Sequence, residues 1–224
     1  MNIVEYSDRE ALMMGLSDSV ASELRAALAA NDTATLCVPG GSSPGPVFDT
    51  LSGVSLDWAR VGVVLNDERL VPETSSRSNT RLIRERLLVE KAAVARFVSF
   101  IPVTGDPSDV DAEAQSEAVR PWLPITTLIL GMGDDMHTAS LFPGGDNLER
   151  ALEQRDPPLI TMRAEGAGET RITLTAPVLR EAMHTHLLIM GEGKRDAFER
   201  ARSLPPEQAP IRALLAEATV HWAA

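Results

Sequence analysis

Apolar residues recur every fourth place at Leu12, Leu16, Val20, Leu24 and Leu28, which predicts one long amphipathic helix near the start of the chain. Ser7 and Glu10 have the spacing of a capping box for its first turn. Further on the pattern shortens. Runs dense in Val, Ile and Leu predict strands at Thr33–Val38, Val61–Leu65, Phe97–Val103, Thr126–Leu130, Leu159–Arg163, Arg171–Thr175, Leu187–Met190 and Thr219–Trp222. Helices are expected between them, over Pro44–Leu51, Asn79–Val89 with Ser78 as its cap, Ser108–Trp122, Asn147–Gln154, Ala176–Met183, Gly193–Ser203 and Ile211–Glu217.

Strand and helix in alternation imply an α/β fold, a Rossmann-like and mostly parallel sheet with helices on both faces. Short strands without polar alternation suit a sheet covered on both sides. No repeat, low-complexity tract or long linker divides the chain, so residues 1–224 are expected to form a single domain. Four polar segments each follow a strand: Gly40–Ser43, Asp67–Arg69, Gly131–His137 and Gly191–Lys194. Parallel strands gather such segments on one edge, and the site is expected there.

Charge and cysteine content narrow the partners. A formal charge of −11 disfavours nucleic acid and makes any anionic ligand depend on a local cluster of Arg and Lys. The lone cysteine, Cys37, lies in an apolar strand-like run, so a disulfide framework is excluded and a small core residue in a cytoplasmic protein is expected. The start of the chain lacks the basic and apolar segments of a signal peptide, and no apolar run has the length of a membrane span.

The four segments differ in what they offer. Gly40-Gly41-Ser42-Ser43 can bring backbone amides and hydroxyls to an anion, although such a sequence is more often only a turn. It matches neither a Walker A loop nor a dinucleotide fingerprint, so nucleotide binding is not expected. Asp67-Glu68-Arg69 reads by itself as a solvated loop, but Arg69 can hold a phosphate bidentately and Asp67 can orient a water or an imidazole. Histidine is the side chain whose charge changes near neutral pH, which makes His137 the candidate for moving a proton. Its neighbours Asp134 and Asp135 invite a metal reading. The remaining histidines, His184, His186 and His221, lack the helical spacing of a zinc site, and no metal is expected. Arg171 and Lys194 add positive charge from the last third of the chain.

Taken in order, PGGSSP at 39–44, DERLVP at 67–72, SN at 78–79, LGMGDDMHTASLFPG at 130–144, RITLTAPVL at 171–179 and GEGK at 191–194 resemble the 6-phosphogluconolactonase family over nearly the whole chain. The resemblance implies the fold shared with glucosamine-6-phosphate deaminases and ribose-5-phosphate isomerases. It implies hydrolysis of 6-phospho-D-glucono-1,5-lactone to 6-phospho-D-gluconate, in the oxidative pentose phosphate pathway, without a cofactor. By matching position His137 is the general base and Asp67 its functional companion. Arg69, Arg171 and Lys194 are assigned to the substrate phosphate, with Gly41 and Ser42 near the sugar and Ser43 among the residues that bind substrate or its phosphate. No Ser nucleophile elbow is present, which favours direct attack by water.

One position departs from the family pattern. Met136 stands where the family reads glycine before the histidine, and glycine serves a positive φ or a close approach that a Cβ penalises. Met136 is therefore expected to shift His137 or narrow the pocket. Two other readings stay open: a glucosamine-6-phosphate deaminase, disfavoured by Thr138–Pro143, and a non-catalytic sugar-phosphate sensor, disfavoured by Asp67 and His137. Monomer and small homo-oligomer both remain compatible with the sequence.

Overall fold

In the computed structural model, which describes residues 1–101 and 106–224, the chain opens on strand β1 (Asn2–Glu5) and helix α1 (Arg9–Ala30). Leu12, Leu16, Val20, Leu24 and Leu28 of α1 are all buried. Each contributes about 2 kcal/mol by leaving water. The cap differs from the expected box: Asp8 accepts from the Ala11 N–H at 2.8 Å, while Ser7 donates to the Asp8 carboxylate. A carboxylate at that position satisfies an orphan amide and faces the positive end of the helix dipole.

The chain continues through β2 (Ala34–Val38), α2 (Gly45–Ser52), β3 (Val61–Leu65), β4 (Asp67–Arg69), α3 (Asn79–Arg86), β5 (Arg96–Val98), α4 (Ala112–Val119) and β6 (Thr127–Leu130). Then follow α5 (Leu148–Glu153), β7 (Leu159–Met162), β8 (Arg171–Leu174), α6 (Ala176–Arg180), β9 (His184–Met190), α7 (Glu192–Ala201) and β10 (Thr219–Ala223). Ser78 caps α3 as expected, accepting from the Arg81 N–H. Three segments depart furthest from expectation. The Ser108–Trp122 segment is broken, because Asp111 starts a new cap and Pro121 falls in a closing 3₁₀ turn. The Ile211–Glu217 segment forms only a 3₁₀ turn at Pro210–Leu214. The Phe97–Val103 strand ends at Val98, and its expected last residues, 102 and 103, lie outside the described residues.

Seven strands pair in the order β1-β10-β9-β6-β2-β3-β5, all parallel. Every residue of β2 and β3 is buried, so helices and loops cover both faces of the sheet centre. From β2 the chain builds outward to β3 and β5 on one side, then returns to place β6, β9 and β10 on the other. The loops after β2 and β6 therefore leave neighbouring strands in opposite directions and open a crevice between them. A second sheet, β4-β8-β7, is antiparallel. Asn66 joins the two sheets: its N–H reaches the Val38 carbonyl and its carbonyl accepts from the Leu174 N–H, both at 2.9 Å.

One polar chain crosses the interior away from the crevice. Glu23 accepts from His186 Nε2 at 3.0 Å and from Thr127 Oγ1 at 3.1 Å. His186 Nδ1 lies 2.9 Å from His221 Nε2, and His221 Nδ1 lies 2.8 Å from the Tyr6 hydroxyl. Because a carboxylate only accepts, it sets the direction of the series when both imidazoles are neutral: His186 donates to Glu23, His221 donates to His186, and Tyr6 donates to His221.

Candidate active site

The crevice is a cleft of about 730 Å³ at the carboxyl edge of the parallel sheet. All four segments expected there contribute to its lining, through Gly40, Gly41 and Ser43, Asp67 and Arg69, Gly131–Asp135 with His137, and Lys194. Arg171 enters from β8. Ser42 is not among the residues that line the cleft and lies exposed in the turn, where Gly41 has φ +86°.

His137 is held by its own loop. Its Nδ1 lies 2.5 Å from Asp135 Oδ1, and its backbone N–H reaches the same oxygen at 3.2 Å. The Gly133 N–H donates to the His137 carbonyl at 2.9 Å, and Thr138 Oγ1 donates to the Gly131 carbonyl at 2.8 Å. The Phe142 ring packs 4.5 Å from the imidazole. A Cβ on Gly133 would run into both the imidazole and the Asp135 carboxylate. Met136 sits at φ +66°, the left-handed conformation that favours glycine, and its side chain packs against the core. Burial pushes the Asp135 carboxyl up, but its hydrogen bond to His137, the imidazole charge and backbone amides outweigh this and hold it below the ordinary carboxylate value.

Asp67 is not the partner of the imidazole. Its Oδ2 accepts from Ser140 Oγ at 2.5 Å, Asn79 Nδ2 reaches its carbonyl at 2.9 Å, and Arg171 Nη1 lies 3.9 Å from its carboxylate. The adjacent Glu68 points the other way, fully buried at the amino end of α3. It accepts from the backbone N–H groups of Arg69, Asn79 and Thr80 at 2.7–2.8 Å and from Ser78 Oγ at 3.2 Å. Burial raises its carboxyl, and the amide bonds offset part of that rise. Glu68 thus fixes the backbone from which Asp67 and Arg69 face the cleft.

The cations differ in environment. Arg171 is buried, donates through Nη2 to the Ala167 carbonyl at 2.7 Å and stands over the Phe142 ring at 5.7 Å. Its pKa is lowered, first by burial and then by Arg69, its register partner across β4 and β8. Arg69 donates to the Arg77 carbonyl. Lys194 pairs with Asp134 at 2.8 Å. The Asp134, Asp135 and His137 donors are therefore split between a lysine and an imidazole, and among the described residues no group of three or more His, Cys, Asp or Glu is arranged to hold a metal ion. Cys37 is buried in β2, its thiol pushed well up by burial and by the Asp67 charge, as a core residue should be.

Asp135, Ser140, Asn79 and Arg9 also shape the cleft or its wall; sequence reasoning weighed Asp135 only as a metal ligand and gave the other three no role there. Asp135 had a usable signal in its two-residue spacing from His137. Arg9 had none, since it lies far away in sequence at the start of α1.

Fold and cleft define an α/β protein with an imidazole–carboxylate pair and a set of cations at the switch point of a parallel sheet. A family model described as glucosamine-6-phosphate isomerases/6-phosphogluconolactonase matches residues 7–222. A 6-phosphogluconolactonase of Rhizobium meliloti is 42% identical over 99% of this chain and 98% of that relative. One of Mesorhizobium japonicum is 40% identical over 97% of this chain and 93% of its own length. The crystal structure of a 6-phosphogluconolactonase from Shewanella baltica superposes with a TM-score of 0.93 at 32% identity, covering 100% of this chain and 98% of that one. The chain belongs to the glucosamine-6-phosphate isomerase/6-phosphogluconolactonase family. Among the described residues no helix is long and apolar enough to cross a membrane.

Proposed function

We propose that this chain, acting as one domain over residues 1–224, hydrolyses 6-phospho-D-glucono-1,5-lactone to 6-phospho-D-gluconate. The observation that carries the reading is the His137–Asp135 pair in a cleft that also holds Arg69, Arg171 and Lys194. With Nδ1–H given to Asp135, the neutral imidazole keeps Nε2 as an acceptor, the tautomer a general base needs.

Nε2 takes a proton from water as the water oxygen bonds to C1 of the lactone. The tetrahedral intermediate then collapses with cleavage of the bond from C1 to the ring oxygen, and the imidazolium returns the proton to that oxygen. Arg69, Arg171 and Lys194 hold the phosphate, so binding energy at the far end of the substrate becomes orientation at C1. Asp67 acts as a companion to His137 by aligning Arg171 rather than by touching the imidazole. Gly41 and Ser43 border the sugar, and no cofactor takes part in these steps. The net negative charge and the buried lone cysteine support a cytoplasmic enzyme of the oxidative pentose phosphate pathway, without nucleic acid or membrane partners, working as a monomer or small homo-oligomer.

The test is proton release on adding freshly made lactone to the purified protein. Turnover above the spontaneous rate is expected, with His137→Ala losing about 10²–10⁴-fold in kcat. Undiminished activity in that variant would refute the assignment of the base, and ammonia release from glucosamine 6-phosphate without lactone turnover would refute the reaction.

A further inference from the structure

Three of the four cations lining the cleft were expected from the sequence, and the fourth is Arg9. It is the first residue of α1, and its Nε donates to the Ala224 carbonyl at 3.0 Å. An Nη atom lies 3.8 Å from where a Cβ on Gly191 would stand. Gly191 immediately precedes α7, and Lys194 follows within the first turn of that helix. Arg9 and Lys194 therefore belong to the same wall.

Charge pairing distinguishes the four. Lys194 is engaged with Asp134 and Arg171 faces Asp67. Among the described residues no Asp or Glu side chain stands at ion-pair distance from Arg9 or Arg69, and the oxygen that Arg9 Nε meets belongs to Ala224. The lining carboxylates Asp67, Asp134, Asp135 and Glu165 balance the four cations one for one, so without Arg9 the cleft lining as a whole would be net negative. A phosphate dianion requires the opposite.

We infer that Arg9 is a substrate-binding residue, its Nη groups meeting the phosphate beside Lys194 and favouring phosphorylated over unphosphorylated sugar lactones. The inference rests on the lactonase reading above. The bond from Nε to Ala224 orients the guanidinium in advance, so less freedom is lost when the ligand arrives.

The test compares wild type with Arg9→Gln and Arg9→Lys, using 6-phosphogluconolactone and unphosphorylated glucono-1,5-lactone as substrates. Calorimetric titration with 6-phosphogluconate and with gluconate runs alongside. Arg9→Gln is expected to raise KM for the phosphorylated lactone about tenfold, the effect of one charge-assisted contact, while kcat stays within about twofold. Its 6-phosphogluconate affinity should fall by a similar factor, and Arg9→Lys should recover part of both. An unchanged KM and product affinity would overturn the inference, as would an equal loss for phosphorylated and unphosphorylated ligands, which marks a merely structural role. A wild-type chain that turns over no lactone would sink the lactonase reading alone. Titration with 6-phosphogluconate would then still decide about Arg9, against it if wild type and Arg9→Gln behave alike.

Discussion

His137 Nδ1 and Asp135 Oδ1 stand 2.5 Å apart within one turn of a loop, so the imidazole is oriented by a residue two places before it and not by a distant element. The pairing fixes which nitrogen faces the substrate. Asp135→Asn keeps the size of the side chain but can present an NH₂ donor to Nδ1, favouring the tautomer in which Nε2 carries the proton. The expected result is a kcat lowered by about 10²-fold, the lower end for loss of a general base, with KM within twofold. Steady-state kinetics on lactone check this, and a thermal melt verifies that the fold persists.

Gly133 tests the same geometry through space. A Cβ there collides with the imidazole and with Asp135, while the Gly133 N–H is tied to the His137 carbonyl and cannot drift freely. Gly133→Ala should displace the base and cost about 10²-fold in kcat, as misplacement by an ångström typically does. The core lies elsewhere, so the midpoint of urea denaturation should move little. A variant with wild-type kcat would show that the loop has more slack than its hydrogen bonds imply.

Legibility followed the physical signal each element carries. The α1 leucines and the Val61–Leu65 run were readable because burial imposes a period on them. β1 was not, because an edge strand exposed over most of its residues leaves no such trace. β4 was read as a loop: three charged residues form a strand only because β8 lies beside them, a tertiary effect that propensity does not contain. The gathering of the four segments on one edge followed from parallel topology alone. The contact between Asp135 and the His137 ring, by contrast, was not read from the sequence, which gave Asp67 as a functional companion, because only the turn geometry brings Asp135 to the imidazole. Arg9 could not be placed without knowing where α1 starts relative to α7.

Met136 offers a measurement of stored strain. At φ +66° a residue with a Cβ is disfavoured by about 1–2 kcal/mol relative to its right-handed conformation, whereas glycine is nearly indifferent. Replacing Met136 also removes packing against the core, so neither small variant is expected to exceed wild type. Their order is the informative quantity. Met136→Gly should be more stable than Met136→Ala by about 1 kcal/mol, the reverse of the order in a helix interior. Chemical denaturation of both variants decides it, and an alanine variant as stable as the glycine one would mean the loop relaxes out of the left-handed conformation.

Acid should destabilise the protein through His221. Burial and the neighbouring His186 lower its pKa to about 4, with Glu23 opposing them, while an unfolded histidine titrates near 6.5. The folded state therefore binds fewer protons than the unfolded one between those values, and stability falls as pH falls. The contribution is fully present above about pH 6.5 and is lost progressively toward pH 4, a total on the order of 3 kcal/mol. The structural reason is the fixed direction of the Tyr6–His221–His186–Glu23 chain: a second proton on His221 must be placed on Nδ1, where the Tyr6 hydroxyl now donates. Urea unfolding at pH 7 and pH 5 should show the loss, and His221→Gln should flatten it at a cost in stability at pH 7. Equal slopes of stability against pH in the two proteins would assign the acid sensitivity to other groups.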